Sequence, residues 1–198
     1  MKLSHVEGAV LVGGSSTRMG RDKATLRYDG APLAARVARA LGTCVERVRF
    51  VSRPGERPEV GLGLECIVDR HAERAPLVGI AAALAACEAS AVLIAACDLP
   101  DVDPRVLLAL LALVPAEGGA DIVAPLGPRG PEPLLAVYRP RLLPELERRI
   151  ARGELALQAL LRDVNTLFVP EADLRALDPE LVSLRNLNRP EDLEKPRA

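Results

Sequence analysis

"AVLVGGSSTRMGRDKATL", Ala9 to Leu26, changes character at Gly13. The first four residues are apolar, and Val10 and Val12 are β-branched, so they read as the end of a buried strand, Val6–Val12. From Gly13 on, the chain turns to glycine, hydroxyl and basic residues. A strand that ends in paired glycines lets backbone N–H groups come close to an anion, and a nest of such groups binds phosphate. Arg18 and Lys23 add positive charge to the same loop. The spacing fits neither G-x-G-x-x-G nor G-x-x-x-x-G-K-[ST]. On local pattern alone, a solvated Gly/Ser loop is the other reading.

Lysine usage sharpens the choice. Of 26 basic residues only Lys2, Lys23 and Lys195 are lysines, and two of these lie near the ends of the sequence. Lysine is a compact charge on a flexible stem, whereas arginine is a planar fork. A chain that writes arginine elsewhere but keeps a lysine in a Gly-rich loop points to a site that requires an ammonium.

Outward from this stretch, strands and helices alternate. Val45–Ser52, Glu65–Val68 and Ala91–Ala96 read as further strands, with helices at Pro32–Leu41, Leu77–Cys87 and Pro104–Val114. Then come strands at Ile122–Ala124 and Leu134–Tyr138, helices at Pro140–Arg152 and Ala156–Arg162, and a last strand at Val164–Val169. Strands separated by helices predict an α/β fold, a mostly parallel sheet covered on both faces. The cluster "PLGPRGPEP", Pro125–Pro133, reads as a loop rather than a domain boundary, and 198 residues fit a single domain.

In such sheets ligands bind outside the carboxyl ends of the strands. The strand "AVLIAA" is followed by "CDLPDVDP". Asp98 ends an apolar strand, where a carboxylate must be solvated, paired or bound to a cation. Magnesium is typically held by one or two carboxylates together with substrate phosphates, so Asp98 is the candidate metal ligand, with a turn or capping role as the alternative. Asp103 precedes Pro104 and reads as a helix N-cap. Asp101 stays open between the two roles. Asp69 ends the third strand and reads equally as a turn residue or as part of the crevice. His71 reads as a surface residue.

Composition narrows the classes. Apolar residues make up 49% and aromatics 2%, so the core is Ala, Val and Leu. A net charge of −1 offers no basic field for nucleic acid or an anionic membrane. No signal or membrane segment is read in Met1–Val12. The four cysteines lack metal-type spacing and read as core thiols, which together point to the cytoplasm.

Set in order, these pieces resemble the nucleotidyltransferases that guanylylate the molybdenum cofactor. "LVGGSSTRMGRDKATL" is similar to their Leu-Ala-Gly-Gly, Arg-Met-Gly and Asp-Lys signature. "APLVGIAAAL" resembles their Gly-Pro-Leu helix start, "AACDLPDV" their Cys-Asp-x-Pro, "EPLLAVY" their acceptor-side strand, and "NLNRPEDL" their C-terminal Asn motif. The matches span nearly the whole chain.

The resemblance implies a Rossmann-like three-layer α/β/α nucleotidyltransferase fold. A nucleotide half would cover about 1–103 and an acceptor, or pterin, half about 104–198. It implies transfer of GMP from GTP to the molybdopterin form of the cofactor, with Mg2+ and release of pyrophosphate, and transient contact with proteins that deliver the pterin. Leu11, Val12, Gly13, Gly14, Lys23, Asp69 and Asp98 would contact nucleotide, Asp98 would hold the metal, and Arg18 and Lys23 would neutralise the leaving group. Asn186 and Asn188 would lie on the pterin side.

Val12 stands where the family has Ala, and Ala75 where it has Gly. Val51, Ser52 and Arg53 occupy the place of its base-contacting Asn, and Ser52 is the candidate there. The same residue pattern leaves open cytidylyl transfer, another phosphate acceptor, or a nucleotide-binding adaptor. "LVGG", with more room beside the base than Leu-Ala-Ala-Gly, favours the purine.

Overall fold

The computed structural model describes residues 2–12, 23–56, 60–114, 118–188 and 192. In chain order the strands are β1 (Val6–Leu11), β2 (Arg27–Tyr28), β3 (Ala31–Pro32), β4 (Val48–Ser52), β5 (Cys66–Val68), β6 (Ala91–Ala96), β7 (Ile122–Gly127), β8 (Gly130–Pro131), β9 (Leu135–Tyr138) and β10 (Thr166–Val169). The helices are α1 (Leu33–Cys44), α2 (Pro76–Ala85), α3 (Pro104–Ala112), α4 (Leu143–Arg152), α5 (Leu157–Asp163) and α6 (Glu171–Leu177).

The main sheet runs β10-β7-β9-β6-β1-β4-β5, with β8 beside β7. β9 is antiparallel to both its neighbours, and the other strands along this path are parallel. This is the mostly parallel three-layer α/β/α arrangement expected from the alternation. The chain builds outward from β1 through β4 to β5, then returns to lay β6 on the other side of β1. That reversal opens a crevice between the carboxyl ends of β1 and β6.

Two cores cover the two faces. Val6, Val10, Leu93 and Val137 pack with α1 and α3 on one side. Ala9, Leu11, Ile94 and Tyr138 pack with α2 and α4 on the other. β6 is buried at every position, which is why it reads as an unbroken apolar run rather than an alternating one. Gly8 lets α1 close on β1: a Cβ there would stand 3.1 Å from Leu41 and 3.2 Å from Val45. No disulfide joins the four cysteines, and Cys44 and Cys97 are buried, in keeping with core thiols. No described helix is long and apolar enough to cross a membrane.

One expectation needs correction, and two elements went unread in the sequence. "PLGPRGPEP" is not simply a loop: β7 continues through Gly127 and turns back as β8, pairing Leu126 with Pro131 and Gly127 with Gly130. Pro125 keeps its place in the ladder with β10 because parallel pairing there draws on only part of its backbone. Arg27–Pro32 forms an unexpected hairpin, β2 with β3. Its turn residues Asp29 and Gly30 both have positive φ, 49° and 78°, as a two-residue hairpin loop requires. Finally, α6 comes after β10, with Glu171 and Asp173 in its first turn, where the helix dipole favours them.

Candidate active site

Both strands of the crevice are pinned where they end. Leu11 pairs with Ala96, and the Cys97 N–H donates to the Leu11 carbonyl at 3.1 Å. The Val12 N–H donates to the Val51 carbonyl at 2.9 Å. Leu11 and Val12 are therefore the rigid end of the strand that carries the Gly-rich stretch. Gly13, Gly14 and Arg18 lie outside the described residues.

Lys23 opens a single helical turn, Lys23–Thr25, anchored by the fully buried Ala24. Its ammonium donates to Asp98 Oδ2 at 2.8 Å and to Asn188 Oδ1 at 2.9 Å. The Leu187 N–H donates to the Asp98 carbonyl at 2.9 Å. Three separate stretches of the sequence thus converge at the Lys23–Asp98 pair, the third through the Asp98 backbone carbonyl and the Lys23 ammonium. The side chains of Lys23 and Asp98 are 15% and 19% exposed, so their attraction is screened less than a surface pair's. Asp98 Oδ1 is buried and has no hydrogen-bond partner among the described residues. A desolvated carboxylate oxygen without a donor is costly to leave so, and its chemistry suits a hard cation such as Mg2+.

The other candidate residues separate by role. Asp69 is buried at the same sheet edge: its N–H donates to the Ser52 carbonyl at 2.9 Å, and its Oδ1 accepts from the His71 N–H at 3.1 Å. It is at least a turn residue beside the crevice. The Ser52 hydroxyl is turned inward, 3.1 Å from Cys66 Sγ and donating to the Arg53 carbonyl, with the residue only 2% exposed. Its side chain is thus engaged between β4 and β5. Asp103 is the expected N-cap, accepting from the Arg105 N–H at 2.7 Å, and the Arg105 guanidinium holds its carboxyl below the usual range. Asp101 is bound to Tyr28 and Arg36. His71 sits 3.3 Å from Glu147. Asn186 is half-buried, next to Leu187. Asn188, expected on the pterin side, accepts from the Lys23 ammonium at 2.9 Å.

Glu132 is the residue that sequence reasoning passed over. β6 and β9 pair Val92 with Tyr138 and Ala95 with Leu135, and the Ala96 N–H donates to the Leu134 carbonyl at 2.9 Å. Glu132 precedes the turn that leads into β9, close enough for the charge of Asp98 to act on it. Burial raises the Glu132 pKa, Arg129 opposes the rise, and the charge of Asp98 adds to it. A carboxylate before Pro133 at the start of an apolar strand was the available signal, and an antiparallel β9 was needed to use it.

Residues 8–174 match the family described as the MobA-like NTP transferase domain. The chain belongs to that family. It is a nucleotidyltransferase. Among curated relatives, the molybdenum cofactor guanylyltransferase of Desulfosudis oleivorans is 33% identical, covering 98% of this chain and 95% of its own length. A probable molybdenum cofactor guanylyltransferase of a Nostoc species is 36% identical, covering 96% and 90%. Among solved structures, molybdopterin-guanine dinucleotide biosynthesis protein A of Archaeoglobus fulgidus superposes with a TM-score of 0.80 at 33% identity, covering 95% of each chain. The MobA-like transferase fold thus runs through both the Lys23 and the Asp98 segments.

Proposed function

We propose that this chain transfers GMP from GTP to the molybdopterin form of the molybdenum cofactor and releases pyrophosphate, with Mg2+ as the cofactor. The observation that carries the reading is the Lys23–Asp98 pair at the mouth of β1 and β6, in a chain whose near-full-length relatives carry the name guanylyltransferase.

The reaction needs little acid–base chemistry. A phosphate oxygen of the acceptor is already ionised at neutral pH and forms the new bond to the α-phosphorus. The bond from that phosphorus to the bridging oxygen of the β-phosphate breaks, and its electrons leave with pyrophosphate. Positioning and charge stabilisation supply most of the rate. Magnesium, when bound, supplies positive charge at the α-phosphate, and Asp98 Oδ1 is the atom that would hold it. Lys23 leaves Asp98 and tracks the phosphates as charge moves onto the leaving group, with Arg18 assisting. Leu11, Val12, Gly13, Gly14 and Asp69 contact the nucleotide. Ser52 acts from beneath as support. Asn186 stands on the pterin side, and Asn188 steadies the ammonium.

Acceptor-dependent pyrophosphate release, measured with each nucleoside triphosphate, tests this. GTP should exceed CTP and ATP, with no release when the pterin is omitted. Preference for CTP would replace guanylyl by cytidylyl transfer. Binding of GTP without any release would make the chain a nucleotide-binding adaptor.

A further inference from the structure

Beside the Lys23–Asp98 pair lies a second ionic assembly. The β2–β3 hairpin comes directly after the Lys23–Thr25 turn, and the Leu26 N–H donates to the Lys23 carbonyl at 3.3 Å. Arg36, in the first turn of α1, reaches across this hairpin. Its Nη1 donates to Asp29 Oδ2 at 3.0 Å, its Nη2 to Asp101 Oδ1 at 3.0 Å, and its Nε to the Pro100 carbonyl at 3.3 Å. The guanidinium lies over the Tyr28 ring, 5.2 Å from its centre, and Tyr28 Oη donates to Asp101 Oδ2 at 2.9 Å. Arg36 and Asp101 are each 14% exposed at the side chain.

Asp101 and Pro100 belong to the same loop as Asp98, and Asp29 and Tyr28 to the hairpin joined to Lys23. One planar fork therefore bridges the two segments that supply the two charges. Directional donors to a carboxylate, a carbonyl and a second carboxylate fix separation and angle in a way an ammonium cannot. The geometry points to Arg36 as a positioning residue for nucleotidyl transfer, holding the Lys23 turn and the Asp98 loop at the separation where ammonium and carboxylate meet. Arg36 acts through those two residues, and its effect on catalysis rests on their proposed roles.

Two readouts on the full chain test this. The first needs no reaction. Lys2, Lys23 and Lys195 are the chain's only lysines, so acetylation by an amine reagent can be followed at each by mass spectrometry. In Arg36→Gln, Lys23 should acetylate roughly fivefold or more faster, as an ion pair loosens, with Lys2 unchanged. An unchanged Lys23 rate in a folded variant would overturn the inference. The second is kinetic. Arg36→Gln should lower kcat on the order of 10- to 100-fold, with the KM for GTP changed less than about threefold. In a Lys23→Ala background the same substitution should add little, because coupled residues are not additive. Losses that multiply in full would mark Arg36 as merely structural. Should Arg36→Gln not fold, Tyr28→Phe removes one donor from Asp101 and carries both readouts at smaller amplitude. If the wild-type chain transfers nothing from GTP, the proposed function fails, and the acetylation result alone decides the role of Arg36.

Discussion

Lys23 and Asp98, 75 positions apart, meet at 2.8 Å, and only one oxygen of Asp98 takes part. Oδ2 carries the ammonium while Oδ1 is buried with no described donor. The ammonium thus neutralises one edge of the carboxylate, and under the proposed function the second oxygen is the atom that would hold Mg2+. The lysine is held by two acceptors, Asp98 and Asn188, which under the proposed function a triphosphate would replace.

Asp98→Asn separates charge from shape. The amide oxygen can still accept from Lys23, and the backbone bond from Leu187 is untouched, so the thermal melt should barely move. Turnover should fall by about two decades or more, on the order of 3 kcal/mol of transition-state stabilisation. Normal turnover with Mg2+ would reassign Asp98 as a turn residue and direct attention to Asp69.

Lys23→Ala should show the competition between the ammonium and a cation. Without the ammonium, Asp98 should bind Mn2+ several-fold more tightly in the absence of nucleotide, read by paramagnetic resonance, since one unit charge at this separation is worth roughly 1–4 kcal/mol before desolvation. Lys23→Arg should keep GTP binding and lose most activity, because a planar fork cannot track the phosphates as a compact ammonium does. Full activity in Lys23→Arg would reduce the role of Lys23 to charge alone.

Glu132 makes a pH-dependent prediction. Its pKa is raised above the ordinary value by burial and by Asp98, against Arg129. Between the ordinary and the raised value the folded chain binds more protons than the unfolded one, so stability falls as pH rises through that window. Above it the wild type bears the whole cost. Glu132→Gln should therefore melt about 1–3 °C higher at pH 7.5, with the gain fading below the ordinary carboxylate range. In an Asp98→Asn background the gain should shrink. An equal gain at every pH would mean that Glu132 does not titrate against its surroundings.

Long apolar strands declared themselves in the sequence. Ala91–Ala96 is buried at every position, so its composition alone marks it, and Asp98 stands out just past its end. Asp103 was legible as a cap because Pro104 fixes the helix start. Short elements were not. Asp29-Gly30 signals a hairpin, but its two-residue strands have too few positions for a period to register. The direction of β9 has no local signature either, since "LAVY" reads alike parallel or antiparallel, and with it went the effect of the Asp98 charge on Glu132. Arg36 looked like any helix-surface arginine. The β2–β3 hairpin and the return of the Asp98 loop beside α1 together give its fork something to hold.

The most direct measurement traces the phosphorus. GTP labelled in the α-phosphate, or separately in the γ-phosphate, is incubated with the chain, Mg2+ and molybdopterin, and the pterin product is isolated. Attack at the α-phosphorus beside Lys23 and Asp98 should carry the α label into a guanine dinucleotide and leave the γ label in pyrophosphate. A γ label in the product, or α label appearing only as free GMP, would contradict guanylyl transfer.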